Sequence, residues 1–181
     1  HDWAGTYMTE LSIIHGLQSV LDSPSGRWFA YACAKYVVFG MVMLVGFLGW
    51  RNGSHKAVYL AMKESFASGA LAFGITYILS LFIARPRPFI AAPELIERWT
   101  SLPATTYSFP SGHASFAYGL AIAFLFRDKR WGLVLFFMAD LVAFGRVAAG
   151  VHYLTDVIAG CFVGLIAASI VRMIQKFREH A

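Results

Sequence analysis

The chain has 181 residues, of which 58% are hydrophobic and only 14% are charged, and its mean hydropathy is +0.60. Soluble domains are closer to half apolar and a quarter charged, so this composition excludes an ordinary soluble domain. The net charge of +5 does not indicate a nucleic-acid partner, because the basic residues cluster at the ends of apolar runs, as membrane topology predicts. We therefore expect a single all-α integral membrane domain over residues 1–181.

The first predicted element is an amphipathic segment, Leu11–Leu21, which is too short to cross a bilayer. Such a segment is typical of an interfacial helix that lies on the membrane surface. The ten residues before it lack the basic region and the apolar core of a cleavable signal peptide. The sequence DSPSGR then predicts a turn before the first long apolar run.

Five apolar segments follow, and each predicts a membrane span. Their approximate bounds are Trp28–Trp50, Ala57–Ile83, Ser111–Phe126, Trp131–Ala148 and Thr155–Arg172. The last three are short for a bilayer crossing, which is tolerable where helix ends line a polar pocket instead of facing lipid. The predicted fold is therefore a bundle of about five transmembrane helices with an N-terminal interfacial helix.

Basic residues are concentrated in the links after the first and third spans and in the C-terminal tail. They are Arg51, Lys56, Arg127, Lys129, Arg130, Arg172, Lys176 and Arg178. By the positive-inside rule, the face that carries them is cytoplasmic. The outer face then receives the N-terminal segment, the link 84–110 and the link 146–154.

Three polar clusters interrupt the apolar runs, and the parity of the spans puts all three on the outer face. They are ARPRPF (84–89), FPSGH (109–113) and GRVAAGVHYLTD (145–156). The second span ends at the first cluster, the third span begins at the second, and the last two spans bracket the third. Residues far apart in sequence are therefore expected to meet in one pocket at the membrane surface.

The residue types in these clusters suit a phosphate group. Arg85, Arg87 and Arg146 carry guanidinium groups, which bind phosphate oxygens bidentately. Ser111 and Gly112 stand at the predicted start of a helix, where backbone N–H groups attract anions. We therefore predict a phosphate-binding site formed by these residues.

Two histidines in the same clusters can perform the chemistry. His152 and Asp156 are four residues apart and share one face of a helix, so the carboxylate can fix the histidine tautomer. The other ring nitrogen then becomes a nucleophile, and His113 is available for acid–base work. A metal site built from the same three residues is the alternative, but the neighbouring arginines favour an anion over a cation.

The three clusters resemble the signature of the type 2 phosphatidic acid phosphatase superfamily of membrane lipid phosphatases. That signature runs Lys-x6-Arg-Pro, Pro-Ser-Gly-His and Ser-Arg-x5-His-x3-Asp. The matching residues are Arg87-Pro88, Pro110–His113, Arg146, His152 and Asp156. The resemblance implies that His152 attacks phosphorus and forms a phosphohistidine, and that Asp156 orients it. It further implies that His113 protonates the leaving oxygen and then activates water.

The resemblance also implies an anion site and a substrate. Arg87, Arg146, Ser111 and the Gly112 amide would hold the phosphate oxygens without a metal or other cofactor. The form SLFIARPRPF is most similar to the bacitracin-resistance type of undecaprenyl-diphosphatase, a bacterial branch that regenerates the lipid carrier of cell-wall synthesis. This branch implies a multi-pass protein of the bacterial inner membrane. Its site would face the periplasm or the cell exterior and hydrolyse a polyprenyl diphosphate to the monophosphate and phosphate.

Two positions depart from the signature. Ser80 stands where the superfamily usually has Lys. We expect Arg85 to supply the missing cationic contact and keep Ser80 among the phosphate-binding candidates. Gly145 stands where the superfamily usually has Ser, so one hydroxyl donor is lost.

Asp140 lies in the middle of the fourth span, where a carboxylate is costly and is a functional hypothesis by default. We expect it to face the bundle and to pair with Lys35 or Lys63. A transporter that uses Asp140 and Lys63 as a relay, and a non-catalytic lipid-binding module, are the competing functions. Phosphatidylglycerophosphate, phosphatidic acid and lipid A are the competing substrates, and we predict that the link 91–106 lines the access route to the pocket.

Overall fold

A computed structural model describes residues 3–51, 56–100 and 107–180, and the part of the chain it describes is helical throughout apart from the links. The helices are α1 Trp3–Val20, α2 Pro24–Lys35, α3 Val37–Arg51, α4 Lys56–Ile83, α5 Pro88–Ala91, α6 Gly112–Leu125, α7 Lys129–Ala148 and α8 Leu154–His180. The predicted all-α membrane fold is confirmed. Residues 101–106 of the predicted access route lie outside the described residues.

Three segments of the described chain are long and apolar enough to cross a membrane: Lys56–Ala91, Lys129–Ala148 and Leu154–Glu179. Helices α2 and α3 pass the same test together as one broken span, with a bend of 47°. Helix α6 is apolar but has only 14 residues, fewer than the roughly 20 that cross a bilayer. The described chain thus has three candidate spans, or four with the bent pair, and the predicted five are reached only if α6 is counted.

Helix α6 lies at the centre of the bundle, between α4 and α8. Its sequence, GHASFAYGLAIAFL, is small and apolar, and most of its residues are buried. A Cβ atom added at Gly164 of α8 would lie 2.6 Å from the backbone nitrogen of Gly119, and one added at Gly119 would lie 2.9 Å from the carbonyl oxygen of Ser68. Small residues allow helix backbones to approach closely where lipid provides no hydrophobic drive for association. This packing holds the start of α6 between α4 and α8.

Helix α1 packs on the bundle, with Leu11 and Ile14 buried beneath it. The Gln18 side-chain amide donates to the carbonyl oxygens of Glu97 and Ala148, at 2.7 Å and 3.2 Å. Its side-chain oxygen accepts from the Glu97 backbone nitrogen at 3.1 Å. The predicted interfacial helix is therefore fastened to the end of α7 and to the link that follows α5.

The opposite end of the bundle carries a network of ion pairs. Glu64 is buried, and its carboxylate accepts from Arg127 at 2.6 Å and lies 3.4 Å from Arg172. Arg127 also donates to Glu179 at 2.9 Å. These two arginines belong to the set that the positive-inside rule places on the cytoplasmic face.

The expected pairing of Asp140 with Lys35 or Lys63 is wrong. Asp140 is exposed on the flank of α7, and its carboxylate accepts from the Tyr118 hydroxyl at 2.7 Å. Lys35 donates instead to the Tyr31 hydroxyl at 2.7 Å, and the Lys63 ammonium lies 5.3 Å from the centre of a tyrosine ring. A hydroxyl from the adjacent helix α6 satisfies the carboxyl group without the desolvation cost of burying a second charge.

Candidate active site

A cavity of about 370 Å³ opens at the end of the bundle where α1 is fastened. Its apolar wall is formed mainly by α4, through Phe73, Thr76, Tyr77, Ser80 and Leu81. Its polar wall comprises Arg87, His113, Arg146 and His152, together with Gly112, Pro110 and Tyr107. The structure therefore brings residues from all three polar clusters to one cavity.

His152 occupies the link between α7 and α8 and is 2% exposed. Its Nδ1 atom lies 2.8 Å from the Ser108 carbonyl oxygen and 3.4 Å from Oδ2 of Asp156. A carbonyl oxygen can only accept, so Nδ1 carries the proton and Nε2 carries the lone pair. Nε2 lies 3.1 Å from Nη1 of Arg87. The nitrogen that is predicted to act as the nucleophile therefore lies beside a guanidinium that could hold a phosphate.

Burial lowers the pKa of His152 to about 4, and the positive charges of Arg146 and Arg87 act in the same direction. Asp156 opposes this shift by stabilising the protonated ring. The ring is consequently neutral from about pH 4 upwards in the empty site. A nucleophilic imidazole requires that state.

Asp156 lies in the first turn of α8 and is completely buried. Its Oδ2 atom accepts from the Ser108 hydroxyl and, at 2.8 Å, from the Tyr153 backbone nitrogen. Its Oδ1 atom accepts from Nη1 of Arg85 at 2.7 Å. Three donors besides His152 thus fix the carboxylate.

Two buried arginines line the same cavity as His152, the predicted nucleophile. Nη1 of Arg87 donates to the Val151 carbonyl oxygen at 2.8 Å. Arg146 is 3% exposed, and its Nη1 lies 3.5 Å from the Ala34 carbonyl oxygen. Its Nε atom has no hydrogen-bond partner among the described residues.

The start of α6 completes the site. Ser111 is the N-cap of α6, and its backbone nitrogen donates to the Asp156 carbonyl oxygen at 3.0 Å. Its hydroxyl is buried and, within the described ranges, lacks a partner. Buried polar groups are rarely left unpaired, because each costs about 1–3 kcal/mol. Two of the predicted phosphate-binding residues, Ser111 and Arg146, therefore each hold a buried polar atom that lacks a partner in the described ranges. Arg146 lines the cavity, whereas Ser111 is not among the lining residues.

The remaining two phosphate candidates are placed differently. Ser80 lines the cavity, and its hydroxyl donates to the Tyr77 carbonyl oxygen at 2.7 Å. Arg85 is not among the residues that line the cavity, because Glu10 and Asp156 hold its guanidinium at 2.6 Å and 2.7 Å. The structure therefore does not bring Arg85 to the place of the missing lysine.

No three His, Cys, Asp or Glu side chains in the described ranges are grouped so that they could hold a metal ion. The trio His113, His152 and Asp156 is included in that statement. The cavity instead presents two guanidinium groups, those of Arg87 and Arg146. Metal independence stays a prediction for experiment.

Sequence reasoning missed two partners of the predicted catalytic pair, His152 and Asp156. Ser108 holds both members, through its carbonyl oxygen to His152 and its hydroxyl to Asp156. A backbone acceptor carries no side-chain signal, although the position of Ser108 beside the FPSGH cluster was a hint. Glu10 was missed because nothing in α1 indicates contact with residues that lie far along the chain.

The presence of Gly145, where the superfamily signature usually has Ser, has a steric cause. A Cβ atom added there would lie 2.4 Å from the Ala34 backbone nitrogen and 2.7 Å from Cβ of Cys33. Helix α2 therefore packs directly on the backbone of α7, one residue before Arg146. The serine that is usual in the signature does not fit this packing.

Replacing Gly145 with Ser is expected to destabilise the protein by about 1–3 kcal/mol, because overpacking displaces neighbouring backbone. The unfolding temperature in detergent measures this effect, and phosphatase activity should fall in parallel with the folded fraction. Gly74→Ser is the matched control, since nothing lies within 4 Å of a Cβ atom at that position. Equal stability of the two variants would contradict the packing explanation.

Comparison with known sequences gives the class of the protein. A sequence model of the PAP2 superfamily matches residues 61–179. Because this match covers well over half of the chain, the chain belongs to the PAP2 superfamily and is a membrane lipid phosphatase of that family.

Individual relatives show how far the similarity extends. The undecaprenyl-diphosphatase BcrC of Bacillus subtilis (strain 168) is 35% identical over 157 residues, which cover 84% of this chain and 76% of BcrC. The phosphatidylglycerophosphatase B of the same organism is 32% identical over 117 residues, which cover 56% of this chain and 54% of that protein. The crystal structure of LpxE from Aquifex aeolicus shares the fold with a TM-score of 0.67 at 23% identity. That comparison covers 91% of this chain and 95% of the LpxE chain.

Proposed function

We propose that this protein hydrolyses a polyprenyl diphosphate, such as undecaprenyl diphosphate, to the monophosphate and phosphate. The observation that carries the proposal is the buried Arg146, whose Nε atom lacks a partner among the described residues, in the same cavity as His152. A buried guanidinium with an unused donor is compensated best by an anion. The site would face the periplasm or cell exterior of a bacterial inner membrane, since the basic residues are concentrated at the opposite end.

In the first step, the terminal phosphate enters between Arg87 and Arg146. Nε2 of His152 attacks phosphorus, an N–P bond forms, and the bond from phosphorus to the bridging oxygen breaks. His113, which is protonated when the anionic diphosphate is bound, gives one proton to that oxygen and becomes neutral, and the lipid monophosphate leaves. Asp156 stabilises the positive charge that develops on the phosphorylated ring.

In the second step, the neutral His113 takes a proton from water. The resulting hydroxide attacks phosphorus, the N–P bond breaks, and inorganic phosphate leaves while His152 returns to its neutral form. Phosphoryl transfer depends mainly on positioning and charge stabilisation. The two arginines, the Ser111 hydroxyl and the Gly112 amide supply both.

Two observations support a lipid diphosphate as the substrate. The similarity to BcrC covers 84% of this chain. The cavity is also flanked by Phe73, Tyr77 and Leu81 of α4, whose side chains are more than half exposed on the lipid-facing side. A polyprenyl chain can therefore stay in the bilayer while its diphosphate reaches His152. Similarity to phosphatidylglycerophosphatase B makes another lipid phosphate the second candidate.

A panel assay of the purified protein tests this proposal. Undecaprenyl diphosphate, phosphatidylglycerophosphate, phosphatidic acid and lipid A would be compared in mixed micelles with excess EDTA. We expect the highest kcat/KM for undecaprenyl diphosphate, release of one phosphate per lipid, and no effect of the chelator.

Two outcomes of the same assay and two outcomes of further experiments would contradict the proposal. Preference for phosphatidylglycerophosphate would establish the second candidate. A strict requirement for a divalent ion would contradict metal independence. Solute flux in proteoliposomes without lipid hydrolysis would establish a transporter, and phosphate-analogue binding without turnover a non-catalytic module.

A further inference from the structure

We propose that Glu10 and Arg85 are positioning residues of the catalytic pair: Glu10 of α1 holds Arg85, and Arg85 holds Asp156 behind His152. The inference rests on the proposed phosphohistidine mechanism. It adds a fixed chain of charges that begins in the N-terminal helix and ends at the nucleophile. Neither residue belongs to the signature that the sequence resembles.

The guanidinium of Arg85 donates hydrogen bonds to residues that do not line the cavity. Its Nη1 donates to Oδ1 of Asp156 and to the Thr155 hydroxyl, both at 2.7 Å, and its Nη2 donates to Glu10 at 2.6 Å. The guanidinium carbon lies 3.8 Å from the centre of the Tyr153 ring. A phosphate ligand needs donors that face the cavity, which Arg87 and Arg146 line. The donors of Arg85 are instead bonded to Glu10, Thr155 and Asp156, outside the cavity.

Glu10 anchors this arginine to two elements. It is 5% exposed, and its Oε1 atom accepts from the Thr155 backbone nitrogen at 2.9 Å and from the Thr155 hydroxyl at 2.7 Å. Its Oε2 atom accepts from Arg85. The first turn of α8, which carries Asp156, is thereby joined to α1. A buried carboxylate with three donors can hold a charged neighbour rigidly.

The charges alternate along Glu10, Arg85 and Asp156. Removing the charge of Glu10 or of Arg85 should therefore have opposite effects on the pKa of His152. Asp156 divides its negative charge between Arg85 and the imidazole of His152. Without the Arg85 charge, Asp156 stabilises the protonated imidazole more strongly, so the pKa of His152 rises. Without the Glu10 charge, Arg85 offsets Asp156 more completely, so the pKa of His152 falls.

Other charged and titratable groups around His152 stay constant in this comparison. From each neighbouring element they are His113 of α6, Arg146 of α7, Arg87 of the link before α5, Tyr153 of the link before α8, and Tyr7 of α1. Using one lipid substrate throughout also cancels the ionisation of the substrate itself. The difference in the acid limb of kcat/KM between the variants then depends only on the charges of Glu10 and Arg85.

The experiment compares Arg85→Gln and Glu10→Gln with wild type. The purified proteins would be assayed on one lipid from about pH 2.5 to 8, and inhibition by orthovanadate, a competitive phosphate analogue, would be measured at neutral pH. We expect kcat to fall about tenfold or more in both, as outer partners of active-site ligands typically show. KM and the vanadate inhibition constant should stay within about twofold. The acid limb of kcat/KM should move up by about 0.5 to 1 pH unit in Arg85→Gln and down in Glu10→Gln.

Controls separate this inference from folding and from the proposed function. Glu94→Gln replaces an exposed carboxylate near the same end of the bundle and should leave kcat and the pH profile unchanged. Unfolding temperatures in detergent show whether each variant is folded. If Arg85→Gln does not fold, Arg85→Lys keeps the charge, and it should retain the wild-type acid limb with an intermediate kcat.

Specific results would overturn the inference. A tenfold rise in KM and in the vanadate inhibition constant for Arg85→Gln would make Arg85 a phosphate ligand. The acid limb of kcat/KM could also move in the same direction in both variants, or not move at all. Either result would mean that Glu10 and Arg85 have a purely structural role. Wild-type kcat in both variants would remove any role in catalysis. Full activity of His152→Ala, in contrast, would refute the phosphohistidine mechanism itself.

Discussion

Replacing His152 with Ala is expected to lower kcat by a factor of about 10⁴ or more, which is the scale of nucleophile loss in enzymes with covalent intermediates. The reason is that Nε2 is the atom directed into the cavity beside Arg87, at 3.1 Å. Phosphate release from the lipid substrate measures the loss. Trapping of an acid-labile phosphoenzyme in the wild type, absent from the variant, identifies the missing intermediate.

The fold must survive this substitution for the result to be informative. His152 donates to the Ser108 carbonyl oxygen, and its removal leaves that buried acceptor without a partner. His152→Asn keeps a donor in the side chain and is therefore the better-folded version of the test. His15→Asn, at an exposed position of α1, is the matched control and should retain full activity. Wild-type turnover by His152→Asn would exclude His152 as the nucleophile.

Replacing Arg146 with Met is expected to lower activity strongly and to stabilise the empty protein. Loss of one buried cationic contact to the reacting phosphate should lower kcat/KM by about 10² to 10³-fold. The stability gain arises because the guanidinium is 3% exposed and, within the described residues, has one hydrogen bond, the 3.5 Å contact to the Ala34 carbonyl oxygen. Its burial carries a desolvation cost that the thioether avoids. The methionine also keeps most of the packing volume of the arginine stem.

Thermal unfolding in phosphate-free detergent measures the expected gain in stability. The unfolding temperature of Arg146→Met should exceed that of the wild type, and orthovanadate should raise the wild-type temperature much more than that of the variant. Arg130→Met, at an exposed position at the opposite end of the bundle, is the control and should change neither quantity. A less stable variant that still responds fully to vanadate would exclude Arg146 from the anion site.

The convergence of the three polar clusters could be predicted, because it follows from hydropathy and from the parity of the apolar segments. Cluster residues such as Arg87, His113 and His152 do meet in one cavity. The boundaries of α4 and α6 also agree with the predicted spans to within a residue. The last helix is longer than predicted, since the charged residues after Arg172 continue the same helix to His180.

The features that could not be predicted depend on long-range packing. The break at Tyr36 has neither proline nor glycine beside it, so no local signal marks it. The engagement of Arg85 depends on Glu10, which precedes it by 75 residues. The choice of Tyr118 as the partner of Asp140 depends on how α6 and α7 are rotated against each other. Sequence pattern fixes which face of the membrane a residue occupies more readily than which neighbour it touches.

The contact of α2 with Gly145 has an evolutionary consequence. Ala34 and Cys33 occupy the space in which a serine side chain at position 145 would lie. In a relative with Ser before the motif arginine, we therefore expect the first span to lie farther from α7 or to tilt away from it. Positions 33, 34 and 145 are expected to change together during divergence, so the departure from the signature marks a repositioned helix and not a degraded motif.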